Sequence, residues 1–543
     1  MNKLKAKRHD NKELLSGIVG GAFSLTLSTI ILKVLGLVYK IPLANILGDE
    51  GMGYFNSAYT VYSFFYLLCT AGVPKAVMIL ISEAKAKGKK IEEYAIVKTA
   101  LLLFVTIGVV VFSLFVILSA PLAKIIGNSR SALTMLSIAP SIIFISVSGV
   151  IRGYLSANMK LLDIAVSQII EGVGKLVLGL LLASYARSIN LPTQIVSALT
   201  ILGVTFGSFV GLVYLLVASK IKKQSEITGQ SCEKTKIIKN IFRISIPITL
   251  SAAVMSITNI IDLGLIMRRL IKVGYTELEA NTLYGNYTTL AVPMFNLAIA
   301  VITPISIAHL PVITNAFAKN DKLALKEAKR SAFELTAFLT APVMLGLFAF
   351  AKEILSLLFG NSGIETGAIL LRLLCPSIFF SAYLIIVNTI LEASGAVRAP
   401  IISMSFGAAA KILVSYLLIS NPNFGIAGAP LGTVVSYAVG LMVSLVIYTK
   451  KYDENLPVLR YGISMYINAF ASVAVARAVF DNINKEFSEF LRLFISISVC
   501  GIIYLFLCVL VGLIFKGKYS KLANYTKQSH KNYKIRRKAG EKI

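Results

Sequence analysis

The sequence predicts an all-α membrane protein of fourteen transmembrane helices: two pseudo-symmetric six-helix lobes in parallel repeat, followed by two C-terminal helices. Three observations predict it. Apolar content exceeds that of a soluble domain, basic residues concentrate in alternate loops, and the second six apolar segments echo the first.

Hydrophobic residues fill 56% of the 543 positions and charged residues only 15%, with a mean hydropathy of +0.78. A soluble domain carries about a quarter charged residues, so lipid is the solvent here. The net charge of +28 does not mark a nucleic-acid binder, because the basic residues lie between long apolar spans and form no continuous block. The five cysteines (Cys69, Cys232, Cys375, Cys500 and Cys508) make no CxxC pair, and His9, His309 and His530 are scattered. No zinc site, disulfide framework or Ser/His/Asp group is supported, and no cofactor is called for.

A helix needs about 20 apolar residues to cross the hydrocarbon core. After a basic cytoplasmic segment, 1–16, such stretches run over 17–44, 53–82, 93–119, 131–152, 161–186, 195–218, 241–267, 284–313, 332–351, 366–391, 399–420, 425–448, 462–480 and 490–515. The first is too long for a signal-peptide core and lacks a small-residue cleavage site, so it reads as a retained span. Pro140, Pro293 and Pro376 fall within spans, which membrane helices tolerate where neighbours satisfy the freed backbone groups. With the N-terminus inside, cytoplasmic segments hold about 37 Lys and Arg and external ones about 8. A miscount by one span would scramble that bias. The expected organisation is an N-lobe over 17–220, a basic linker over 221–240, a C-lobe over 241–450, two added helices over 455–515 and a basic cytoplasmic tail over 516–543. The expected setting is the cell membrane, as a multi-pass monomer with both ends cytoplasmic.

The repeat appears without gaps at an offset of about 232 residues. Ala22-Phe-Ser-Leu-Thr26 lies on Val254-Met-Ser-Ile-Thr258, and Gly53 on Gly285. Ala139-Pro-Ser-Ile-Ile-Phe144 lies on Cys375-Pro-Ser-Ile-Phe-Phe380, and Lys175 on Lys411. Gly203, Gly207 and Gly211 lie on Gly432, Ser436 and Gly440, and Gly127-Asn128 on Gly360-Asn361. An even number of spans per copy keeps both copies in one orientation, so the lobes are expected around an axis along the membrane normal with a cavity between them. The row Gly203, Gly207, Gly211 is expected to be a close-packing helix face.

Charges inside the spans indicate what such a cavity would hold. A Lys or Arg at a span centre costs roughly 2.5–3.5 kcal/mol on insertion scales, so it faces water or a partner. Lys33, Lys40, Lys75, Lys98, Lys175, Arg372, Lys411, Arg477 and Arg492 lie in or at the edges of spans, against the clear acids Glu171 and Asp262. Lys33 sits mid-span, where snorkelling is hard, whereas Lys98, Arg477 and Arg492 are expected to snorkel. Glu171 and Lys175 are spaced for an i,i+4 pair, which reads either as an internal salt bridge or as part of the cavity wall. Lys411 has Gly407 where Lys175 has Glu171, and is expected to be the freer charge. Asp262, with Asn259 nearby, is a candidate Na+ or H+ coupling site, the membrane potential being the alternative drive. His309 reads as a packed helix-end residue. A cavity lined by Lys33, Lys40, Lys175 and Lys411 would prefer an anion.

The same residues bring a resemblance. Lys33-Val-Leu-Gly-Leu-Val-Tyr-Lys-Ile-Pro-Leu-Ala44, Leu47-Gly48, Glu50-Gly51 and Thr70-Ala-Gly-Val-Pro74 resemble the opening of the polysaccharide-type flippases of the MOP superfamily, in the group of the stage V sporulation protein B and the Gram-positive lipid II flippases. Ile151-Arg-Gly-Tyr154, Ser167-Gln168, Glu171, Leu371-Arg-Leu-Leu-Cys-Pro-Ser377 and Gly425-Ile-Ala-Gly428 continue it over roughly 15–450. The resemblance implies a MATE-like fold. It also implies alternating access that carries an undecaprenyl-pyrophosphate-linked saccharide, lipid II among the candidates, from the inner to the outer leaflet for envelope or spore cortex synthesis. Membrane lipid is then the other partner. It places the group's first cationic cavity position on Lys33 and the second on Tyr39, beside Lys40. The basic pair early in the second helix has no equivalent around Tyr66-Leu67, where only Lys75 is available. On this reading Lys33, Lys40, Lys175 and Lys411 capture the pyrophosphate, with Glu171 and Lys75 at the same site. Two rivals are a cation-coupled multidrug exporter of the same superfamily, which should present cavity carboxylates, and a non-transporting envelope-assembly scaffold. A membrane enzyme would need a larger external domain than these loops provide.

Overall fold

The computed structural model of the chain describes residues 2–219, 234–360, 363–396, 398–452, 462–484 and 486–510, with side-chain surroundings from residue 35 onward. Most of the expected basic linker and the basic tail from 516 lie outside the described residues, as do Cys232 and the side chain of Lys33.

Among the described residues there are α-helices and short helical turns and no strand. They are α1 (Asn2–Thr70), α2 (Val73–Ala86), α3 (Lys90–Ile126), α4 (Ala132–Ile138), α5 (Ser141–Ala157), α6 (Leu161–Ser188), α7 (Thr193–Ser219), α8 (Lys234–Val273), α9 (Glu277–Asn286), α10 (Val292–Ala318), α11 (Lys322–Ala349), α12 (Ala351–Phe359), α13 (Ile364–Leu374), α14 (Pro376–Ala393), α15 (Ala399–Ile419), α16 (Gly428–Tyr452), α17 (Ile463–Asn482) and α18 (Glu489–Leu510). Among the described residues, eleven stretches are long and apolar enough to cross a membrane, and a twelfth is the bent pair Ser129–Ile138 and Ser141–Ala157. The expected number was fourteen. The two expected spans without a match of their own are 17–44, which lies in α1 mostly before the described side chains, and 241–267, which is helical as part of α8.

Local chemistry explains the breaks. α1 bends at Gly48, whose φ of 67° and ψ of −179° lie in a region open essentially to glycine alone. α3 ends on Gly127 at φ 88°, and its repeat counterpart Gly360 also stands at positive φ, 77°. α9 starts with a capping box in which Thr276 and Glu279 exchange side-chain and backbone hydrogen bonds. It runs into a π-helical turn, Tyr287–Ala291, a distortion that occurs mostly at functional places in helices.

The chain forms two compact units. One comprises Met1–Met294, Leu358–Leu374 and Met404–Val439; the other comprises Phe295–Leu357, Cys375–Ser403 and Gly440–Ile543. Neither coincides with an expected lobe, because the first unit joins the whole first repeat to three pieces of the second. Glycine is the physical reason. A Cβ on Gly285 would lie 2.3 Å from the Asp49 carbonyl oxygen and 2.9 Å from the Gly53 nitrogen, so these repeat-related glycines meet backbone to backbone. The amide of Asn281 donates to the Glu50 carbonyl at 2.8 Å, and Asn56 donates to Thr289 Oγ1 at 2.8 Å, which closes the seam.

In the second unit, α11, α14 and α17 pack through Phe333, Tyr383 and Phe379, while α17 and α18 share a core with Phe350 that includes Phe480 and Leu493. Arg477 pairs with Glu353 at 2.5 Å. Arg492 likewise donates to the Phe480 carbonyl at 2.9 Å and stacks on that ring. His309, expected at a helix end, lies within α10 and is partly buried, bonding the Ile305 carbonyl at 2.9 Å.

Candidate functional site

The second half of α1 carries Phe55, Tyr59, Tyr62 and Tyr66, spaced four, three and four residues apart and therefore on one helix face. Their rings form a ladder: Phe55 to Tyr59 at 6.2 Å, Tyr59 to Tyr62 at 5.8 Å and Tyr62 to Tyr66 at 6.0 Å between centroids. Tyr39, from the first half of α1, adds a ring 6.2 Å from Phe55.

α6 faces this ladder, and α7 fixes its position. A Cβ on Gly203 would sit 2.7 Å from the Lys175 carbonyl oxygen, and one on Gly207 would sit 2.4 Å from that of Glu171. The glycine row thus brings α7 against the turn that bears both charged residues, the close packing expected of it. Gly432 lies against the Lys411 carbonyl in the same way, 3.3 Å from its would-be Cβ. Lys175 projects over Tyr59 at 4.8 Å and Tyr39 at 5.1 Å, held by the negative faces of two rings.

Glu171 does not pair with Lys175. Its carboxylate takes Arg152 of α5 at 2.8 Å, because Arg152 faces it across the helix pair. Among the described residues Lys175 therefore has no carboxylate partner. Lys40 has none either: its ammonium donates to the Thr288 carbonyl in the π turn at 3.4 Å. A cavity of about 280 Å³ opens here. Its polar wall is Ser63, Arg152, Gln168, Glu171 and Lys175, and its aromatic wall is Tyr39 with the ladder tyrosines. Arg152 and Glu171 cancel, and Lys175 leaves the lining net positive.

Lys411 is not the freer charge. It forms a salt bridge with Asp262 at 2.9 Å, both side chains largely buried. Asp262 lies 149 positions away in sequence, so the pair was invisible to local spacing. Tyr287 and Thr433 share a hydrogen bond at 3.3 Å. Asn259 is exposed, as is Lys75, and neither lines the cavity. Of the expected site, Lys175 and Glu171 come together at the cavity. Lys411 and Asp262 pair with one another. Lys40 stands apart on the π turn, and the side chain of Lys33 lies outside the described residues.

Sequence reasoning missed Arg152, Gln168 and the tyrosine ladder as site residues. The ladder had a signal, polar aromatics at helical spacing on one face of an apolar span. Arg152 and Gln168 entered only as part of a family motif.

Comparison with known proteins bears on the family and the fold. The family described as polysaccharide biosynthesis protein matches residues 18–317, and the MatE family matches 287–417. The stage V sporulation protein B of Bacillus subtilis (strain 168) is 23% identical over 92% of this chain and 97% of its own. The lipid II flippase MurJ of the same organism is 22% identical over 85% of this chain and 88% of its own. Among solved structures, lipid II flippase MurJ in an inward closed conformation superposes with a TM-score of 0.71 at 16% identity, covering 90% of this chain and 98% of that one. An inward-facing multidrug resistance MATE transporter of the MOP superfamily gives 0.66 at 16% identity, over 79% and 98%. The fold is therefore that of MurJ and the MATE transporters.

Proposed function

Since the chain belongs to the polysaccharide biosynthesis protein family, and is a multi-pass membrane transporter of the flippase type and not an enzyme, we propose that its cargo is an anionic undecaprenyl-pyrophosphate-linked saccharide, moved from the inner to the outer leaflet for envelope or spore cortex synthesis. One observation carries the reading: an ammonium, Lys175, is held over two aromatic rings at a cavity whose one carboxylate is already taken by Arg152. The relative named as a lipid II flippase supports the cargo class, lipid II being one member of it.

The cycle we propose is alternating access by two six-helix lobes, with both termini cytoplasmic and the chain acting as a monomer. Lys411 neutralises Asp262, which removes the electrostatic reason for a cation to settle there. The membrane potential is the better drive. With the interior negative, it favours outward movement of an anion by about 2.3 kcal/mol per charge per 100 mV. A multidrug cation exporter would want an uncommitted carboxylate at the cavity, and both Glu171 and Asp262 are committed to cations. Depletion of the protein, followed by leaflet-resolved analysis of undecaprenyl-linked sugars, tests the reading. Such sugars are expected to accumulate in the inner leaflet; an unchanged distribution rejects the flippase.

A further inference from the structure

Resting on that reading, we propose that the cavity in the first unit is divided into an anion end at Lys175 and a sugar-reading end formed by Tyr62, Tyr66, Gln168 and the Arg152–Glu171 pair. Gln168 lies seven residues before Lys175 on α6, about 10 Å along the helix, so the two ends are separate places. Lys175 already covers the faces of Tyr59 and Tyr39. Tyr66, at the other end of the ladder, lines the same cavity as Arg152, Gln168 and Glu171.

The chemistry of this second end suits a pyranose. A sugar ring presents a face of C–H groups, whose slight positive charge packs against the negative face of an aromatic ring, and an edge of hydroxyls that both donate and accept. The ladder supplies the rings. The edge needs planar polar groups with spare capacity, and these are present: Arg152 Nε is buried with no hydrogen-bond partner among the described residues. The Gln168 amide is likewise unbonded among the described residues, and offers two donors and an acceptor. A buried unpaired N–H costs about 1–3 kcal/mol, which a ligand acceptor recovers. An apolar guest would leave Arg152 Nε unmet, and an organic cation would face Lys175. The pair's Glu171 accepts from hydroxyls without adding net charge, so this end reads the sugar while Lys175 reads the phosphate.

Binding of two probes to the purified full chain in detergent tests the division: undecaprenyl pyrophosphate, and the same lipid bearing one N-acetylglucosamine. Retention of each radiolabelled lipid by the chain measures the affinities, since intrinsic emission from 23 tyrosines would not isolate the ladder. The wild type is expected to bind the sugar-bearing lipid at least tenfold more tightly. That ratio falls below threefold in Tyr66→Ala and in Gln168→Ala, whereas Lys175→Ala weakens both lipids together and keeps the ratio. Gln168→Ala removes no packed ring, so it reads the site even where Tyr66→Ala fails to fold. Equal wild-type affinity for the two lipids, or a ratio indifferent to Gln168, overturns the division and leaves the anion reading standing. No saturable binding of either lipid overturns both.

Discussion

Replacing Asp262 with alanine isolates what the Lys411 pair contributes. The two groups are 2.9 Å apart, with 15% of the lysine and 13% of the aspartate side chain exposed. Removing one member of a pair this buried strands the other charge, at a cost of about 3–5 kcal/mol. In a membrane the denatured reference keeps the lysine in lipid as well, which lowers the expected loss to about 3 kcal/mol, roughly a hundredfold in the folding constant. Lys411→Ala should cost about the same. The double variant should lose far less than the sum, giving a coupling energy of about 2 kcal/mol or more. Equilibrium unfolding in mixed detergent micelles measures all four proteins. Additive losses refute the ion pair. A selective loss of Na+-dependent stabilisation in Asp262→Ala would instead revive the coupling role expected for Asp262 and Asn259.

Three further outcomes follow from the packing. Glu171→Gln leaves Arg152 uncompensated and should cost about 2 kcal/mol, while binding of undecaprenyl pyrophosphate tightens because the lining gains a net positive charge; weaker binding in a titration contradicts this. Gly53→Ala puts a methyl 2.3 Å from the Asn281 carbonyl oxygen, a backbone atom with little room to yield, and should destabilise by about 1–3 kcal/mol in the same unfolding assay. Gly203→Ala pushes α7 off α6 at the Lys175 turn, since its Cβ would lie 2.6 Å from the Gly179 nitrogen. It should slow flipping in liposomes at least tenfold with Lys175 intact, and a normal rate removes the positioning role of the glycine row.

What was legible in the sequence was whatever has a period or an offset. Apolar length marked the helices, and the three-residue gaps between Gly203, Gly207 and Gly211 marked the face that meets α6. The match of Gly53 to Gly285 pointed to two equivalent places, which the fold brings into direct contact. Charge partners were not legible. Glu171 stands one turn from Lys175 yet takes Arg152, because α5 brings a guanidinium closer to the carboxylate than its own helix does. Lys411 looked unaccompanied on its helix because its carboxylate arrives from α8. The bend in α1 was hidden for a different reason: glycine permits φ of 67° without requiring it, and only the surrounding packing decides.

In the proposed transport step, the Lys175 ammonium beside its aromatic rings captures the phosphates of a lipid carrier. Liposomes containing the purified protein and a fluorescent undecaprenyl-pyrophosphoryl sugar, assayed by quencher access to the outer leaflet, examine that step most directly. The wild type should equilibrate the probe, Lys175→Arg should retain much of the rate, and Lys175→Ala should reduce it at least tenfold. Transfer by Lys175→Ala at the wild-type rate would contradict the account.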